Sequence, residues 1–222
     1  MNDEESFEDL KRKWSGGDML NASNEEKMSL KDKIKNVILN PSVFFERIKY
    51  EKGIMEAFKY LAILSLINLF VGIASFTFSI PSIIYYFSGI ANIPFLAGVK
   101  FLIPFITYIF GIIFSFIWAG IVHIFTRIVR GKGKYADSYK AIVYGATPTL
   151  LLGWIPFVGF VANLYSLYLQ LKGISKLHQI SMLRALVAIV VIPLLIIISI
   201  LGVIFAAYIY TLTLLLQRLS IS

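Results

Sequence analysis

Two histidines, His123 and His178, are the first side chains to weigh for chemistry in this 222-residue sequence, because there is no cysteine. Intramembrane proteolysis needs a serine with a histidine, paired aspartates, or a metal held by histidines and a carboxylate, and each set must converge within hydrogen-bond reach. None can be assembled. No Asp or Glu occurs between Glu56 and Asp137 or anywhere after Asp137, and the two histidines lack the spacing of metal ligands. The absent cysteines also remove disulfides, thiolate zinc sites and a cysteine nucleophile. Gly131-Lys132-Gly133-Lys134-Tyr135 lacks the glycine spacing and following hydroxyl of a phosphate-binding loop, and reads as a flexible basic loop. No catalytic residue, cofactor or metal ligand is expected, and the chain is not expected to be an enzyme. His123 could enter a proton relay, but with no carboxylate nearby in the sequence the favoured reading is a hydrogen-bonded packing residue.

The elements that would position these groups are membrane helices. The chain is 58% hydrophobic and 15% charged, with mean hydropathy +0.77. Its apolar runs exceed the roughly 20 residues that cross a bilayer. A soluble domain could not cover the uncharged run from Tyr60 to Val99 and keep a wet face. The net charge of +8 does not imply nucleic acid, since the cations flank the apolar runs, where anionic lipid headgroups and the positive-inside bias account for them. The first 26 residues, acidic and without an apolar segment of signal length, do not read as a secretory signal, and the first span is expected to do the targeting.

The most informative stretch is Ala141–Leu171, uncharged throughout, with Pro148 and Pro156 inside it. As one helix it would extend roughly 46 Å, against a hydrocarbon core of about 30 Å. It reads as a hairpin of two shortened helices with both ends on the cytoplasmic side, because Lys134 and Lys140 precede it and Lys172 and Lys176 follow it. Pro148 frees a carbonyl near Tyr144, which Thr147, Thr149 or another helix must satisfy because lipid cannot. Small residues every fourth position, such as Ala141, Gly145, Thr149 and Gly153, suit close packing, and Pro156 and Gly159 mark the turn.

The fold class expected is all-α, a polytopic membrane bundle of five transmembrane helices that includes this proline-broken hairpin and is preceded by cytoplasmic amphipathic helices. Residues 1–28 form an acidic tail expected to be disordered. Residues 29–57 form two interfacial amphipathic helices, one capped by Ser29 and one by Asn40 with Pro41 at its first position. Their apolar residues include Ile34, Val37, Phe44, Phe45 and Ile48, and Lys31, Lys33, Lys35, Arg47, Lys49 and Lys52 would meet headgroups. The alternative is that this pair packs under the bundle. Residues 58–222 hold the spans, near 58–78, 101–126, 138–154, 157–171 and 185–217, with 81–99 read as an outer loop, Asp137 as a cap of the hairpin and Pro193 as a kink in the last helix. The N-terminus falls in the cytoplasm and the C-terminus outside.

Asn40–Ile48, then Tyr144–Ser181, then Arg184–Leu195 together resemble the Yip-domain membrane family, in its prokaryotic branch. The resemblance spans about Asn40 to Leu215, and Tyr144, Gly145, Pro148, Pro156, Gly159, Leu169, Lys176 and His178 carry its most specific part. It implies five spans, a cytoplasmic N-terminus and a non-enzymatic scaffold or adaptor in membrane organisation or trafficking, in the plasma membrane if prokaryotic. Tyr144, Gly145, Pro148, Pro156 and Gly159 would be structural determinants of the hairpin. Eukaryotic members interact with Rab-type GTPases and carry an Asp-Leu-Tyr-Gly-Pro motif before the first span. The comparable region here is Asn40–Gly53, which lacks that motif. Expected partners are membrane lipids, with anionic headgroups at the basic loops, and a protein partner or second copy of the chain. The other reading is a transporter or channel for a lipid or small solute, with Thr147, Thr149, Asn163, Ser166 and Gln170 lining a cavity.

Overall fold

The computed structural model describes residues 28–78 and 94–221, and their regular structure is helical throughout. The acidic tail and most of the segment read as an outer loop lie outside the described residues. α1 spans Leu30–Leu39 and α2 Pro41–Ile48. Ser29 begins α1 by accepting the Asp32 amide at 3.2 Å and donating to the Asp32 carboxylate at 2.6 Å. Pro41 begins α2, where its missing N–H costs nothing.

Among the described residues three helices are long and apolar enough to cross a membrane: α3 (Met55–Phe78), α4 (Pro94–Ile128) and the last helix, over the segments Met55–Ala74, Leu102–Ile128 and Met182–Thr213. α4 begins at Pro94, so it takes in the final residues of the expected outer loop, Pro94–Val99. α3 and α4 run antiparallel: Phe58 meets Phe116 with ring centroids 5.8 Å apart, and farther along α3 the Ala62 carbonyl accepts Tyr108 Oη at 3.3 Å. Large apolar side chains elsewhere on both helices, among them Phe70, Phe105, Phe110 and Ile117, remain exposed, which is the distribution that a hydrocarbon solvent permits.

The last helix comprises α8 (Met182–Leu186), a π-helical turn (Val187–Val191) and α9 (Ile192–Ile221) in unbroken succession. The turn explains how Pro193 is tolerated. A proline ring clashes with the carbonyl one turn back, and the widened turn, with the Ile192 amide on the Val187 carbonyl, accommodates it. From Leu194 to Thr213 the side chains are exposed.

Between these lies the hairpin, made of α5 (Tyr135–Gly145), α6 (Thr147–Leu152) and α7 (Val158–His178). The core is organised around α5, on which every residue from Ser138 to Gly145 is buried. α7 packs along it, and α3, α4 and α2 close the remaining sides.

The apolar side of α2 faces protein. Phe44, Phe45 and Ile48 are buried, and Phe44 meets Phe45 and Tyr144 edge-on at 5.5 and 5.2 Å. Protein therefore covers that face of α2. The groove between α5 and α7 offers this aromatic pair apolar area and an edge-to-face partner in Tyr144. Of the cations expected at headgroups, Lys31, Lys35, Arg47, Lys49 and Lys52 are exposed while Lys33 is buried.

Candidate functional site

Pro148 breaks the first arm of the hairpin. α5 stops at Gly145, Ala146 makes the joint, and α6 resumes with Pro148 in its first turn. The carbonyl released is that of Tyr144, and Thr147 Oγ1 donates to it at 2.6 Å while sharing a 2.7 Å hydrogen bond with Tyr60 Oη on α3. Of the alternatives weighed for this carbonyl, Thr147 supplies the bond.

Beyond the joint, three of the polar groups expected to line a conduit, Thr149, Asn163 and Ser166, bond to one another. Thr149 Oγ1 donates to Ser166 Oγ at 2.9 Å or to Asn163 Oδ1 at 3.0 Å, and the Thr149 amide donates to Ser166 Oγ at 3.0 Å. Asn163 Nδ2 donates to the Gly159 carbonyl at 2.7 Å. A cleft of about 350 Å³ lies instead between α3, α4 and α6, lined mainly by apolar residues such as Leu61, Ile103, Pro104 and Leu150, with Asn68 tied to the Leu150 carbonyl at 2.7 Å.

At the charged end, two features meet on α5. The first joins the two histidines. His123 Nδ1 lies 3.1 Å from Ser138 Oγ, and the same oxygen lies 2.8 Å from His178 Nε2. His178 is fully buried and its Nδ1 has no hydrogen-bond partner. A bare lone pair is the less costly orphan, so the ring carries its proton on Nε2 and donates to Ser138, whose own hydrogen goes to His123 Nδ1. Burial pushes the His178 pKa down to about 4, against the raising influence of Asp137. The basic loop closes over this ring. A Cβ on Gly133 would sit 2.7 Å from His178 Nδ1, and the Lys132 amide donates to the His178 carbonyl at 3.0 Å. The loop read as flexible is thus tied down, and its glycines serve this close approach. Asp137 acts from the third position of α5 by accepting the Lys134 amide at 2.7 Å.

The second feature fastens the N-terminal segment. Lys140, read from sequence as a flanking cation, is buried, and its ammonium donates to the carbonyls of Ile48, at 3.2 Å, and Glu51, with the Asp137 carboxylate 4.0 Å away. It thereby satisfies carbonyls at the C-terminal end of α2, where a cation is also favoured by the helix dipole. Tyr144 Oη donates to the Glu51 carboxylate at 3.0 Å. Lys176 pairs with Glu46 at 2.6 Å, and Tyr165 Oη donates to the Ile38 carbonyl at 2.6 Å. Gly173 permits this docking, since a Cβ there would lie 2.8 Å from the Phe45 ring.

Of the residues expected to determine the hairpin, Tyr144 and Gly145 come together at the α5–α7 contact. A Cβ on Gly145 would fall 2.7 Å from the Gln170 amide nitrogen. Pro148 is buried at the joint, whereas Pro156 is exposed in the tip and Gly159 is buried just after it. Gly159 and Gln170 are about 17 Å apart along α7, so these residues form two groups. Sequence reasoning missed Glu51, Ser138, Lys140 and Gly173. Their signals are weak: a glycine in an apolar helix or a lysine at its edge has many ordinary uses. Among the described residues no cluster of three His, Asp or Glu converges as a metal site.

No curated protein and no solved structure matched the chain. The model of the Yip1 domain, however, matches residues 35–216, which takes in α2, the three long apolar helices, the hairpin and both polar features. The protein, an integral membrane protein, belongs to the Yip1 domain family.

Proposed function

We propose that this chain is a non-enzymatic multi-pass membrane protein that serves as a scaffold or adaptor in membrane organisation or trafficking, with its charged end and N-terminus in the cytoplasm and its C-terminus outside. The observation that carries the reading is the fastening of the segment Ile38–Glu51, which contains α2, to α5 and α7 by Lys140, Tyr144, Tyr165 and Lys176. A short segment held at four polar points, two of them on α2 itself, is a positioned platform. The exposed cations beside it, Lys35, Arg47, Lys49 and Lys52, and those of the neighbouring loop, Arg127, Arg130, Lys132 and Lys134, suit anionic headgroups or an acidic protein surface. Positive charge on the loops that join the apolar helices favours the cytoplasmic orientation. The conduit reading is weaker, because Thr149, Asn163 and Ser166 are engaged with one another.

The test is crosslinking and mass spectrometry of the full-length protein in lipid-preserving detergent, beside a variant with Lys35, Lys49 and Lys52 changed to Glu. A protein or anionic lipid bound at α1–α2 and lost on charge reversal supports the platform. Solute flux through proteoliposomes that Asn163→Leu abolishes overturns it in favour of a conduit.

A further inference from the structure

The hairpin does not have the dimensions of two crossings. On α7 the nearest charged residue to the tip is Lys172, fourteen residues from Val158. At 1.5 Å per residue the intervening helix is about 21 Å long. On the other arm Lys140 precedes Leu152 by twelve residues, or about 18 Å. Both fall short of a hydrocarbon core of about 30 Å, while α3, α4 and the last helix have the full length.

The tip itself is built for an apolar solvent. From Gly153 to Val161 there is no charged, amide or hydroxyl side chain. Trp154, Phe157, Phe160 and Val161 are 50, 90, 69 and 64% exposed. The one side-chain polar group, the Trp154 indole N–H, is turned inward onto the Leu151 carbonyl at 2.9 Å. Four of the six amides from Gly153 to Gly159, those of Gly153, Ile155, Val158 and Gly159, are bonded within the turn, and Pro156 has none to satisfy. A turn that meets water has no need of this economy; one surrounded by acyl chains does, because each unpaired backbone group there costs several kcal/mol.

We propose that α5–α7 is a re-entrant hairpin, which enters the bilayer from the charged side and turns back inside it, with Trp154–Val161 seated among lipid acyl chains. Its tip lies about 6 Å past the midplane, the difference between 21 Å and half of a 30 Å core. The hairpin then adds helix chiefly to the leaflet on the charged side, which for a membrane-organising scaffold makes it the element that displaces lipid unequally between the leaflets. The assignment of that leaflet as cytoplasmic rests on the topology proposed above.

Two measurements on the full chain in vesicles test it. With Trp14→Phe and Trp118→Phe leaving Trp154 as the only indole, fluorescence is quenched most by phospholipid brominated near the chain ends. Strongest quenching by lipid brominated near the headgroup overturns the proposal. In the cysteine-free background, Phe157→Cys resists a membrane-impermeant maleimide added to either side and reacts once detergent is present. Labelling from the side opposite to Lys134→Cys would show two crossings and overturn it. Lys134→Cys reports orientation separately, so a failure of the cytoplasmic assignment is distinguished from a failure of re-entrance. The quenching variant leaves the tip sequence intact, so it stays informative if Phe157→Cys folds poorly.

Discussion

Acidification should loosen the charged end through His178. Its ring is fully buried, its Nδ1 has no partner, and Arg127 and His123 add to the burial in opposing a positive charge that Asp137 favours. A histidine whose folded pKa lies below its unfolded value contributes its stability in full above about pH 6.5. That stability is lost as pH falls toward the folded pKa of about 4, because over this interval the unfolded chain takes up the proton first. At about 1.4 kcal/mol per pH unit, the loss across the window is about 3 kcal/mol. For a chain of this size that corresponds to a fall of roughly 6–12 °C in the unfolding midpoint. The assay is thermal unfolding in detergent at intervals from pH 8 to pH 4, on the native chain and on His178→Gln. Glutamine can place its amide nitrogen where Nε2–H now donates to Ser138, and it does not titrate. Its profile should be flatter by about the same 3 kcal/mol. Equal pH dependence in the two proteins would refute the argument and move the effect to other groups.

Thr147→Val should cost about 1–3 kcal/mol, because it strands the Tyr144 carbonyl in an apolar setting, and Thr147→Ser should recover most of it; unfolding midpoints decide this. Gly145→Ala should destabilise by about 1–3 kcal/mol in the same assay, as its Cβ must push α5 off the Gln170 backbone. Lys140→Met leaves the Ile48 and Glu51 carbonyls without their cation, so α2 should detach more often. A disulfide between Glu46→Cys and Lys176→Cys should then form several-fold more slowly than with Lys140 present, and an unchanged rate would remove Lys140 from the fastening.

What could be read directly was set by neighbours in the chain. Apolar runs longer than a bilayer is thick specify α3, α4 and the last helix, since no side-chain pattern of a soluble protein tolerates them. Ser29 and Pro41 mark helix starts because capping involves only the next few residues. Pro148 announces a break and an orphaned carbonyl for the same local reason, and the family match over residues 35–216 is likewise made on the sequence.

Tertiary structure alone decided which partners answer these local demands. Thr147 rather than Thr149 reaches the Tyr144 carbonyl because the joint at Ala146 turns it there. His123 and His178, far apart in sequence, share Ser138 because α4 and α7 flank α5. Lys140 and Lys172 look alike beside an apolar run, yet only Lys140 is buried, since carbonyls of the docked N-terminal segment surround its ammonium. The amphipathic pattern of α2 states that one side must be covered. Whether lipid or protein covers it depends on the groove between α5 and α7, which exists only once Gly145 and Gly173 have let those helices and Phe45 approach. Helix breaks and caps are local events of a few residues, whereas burial, pairing and proton placement are sums over segments that the chain brings together only by folding.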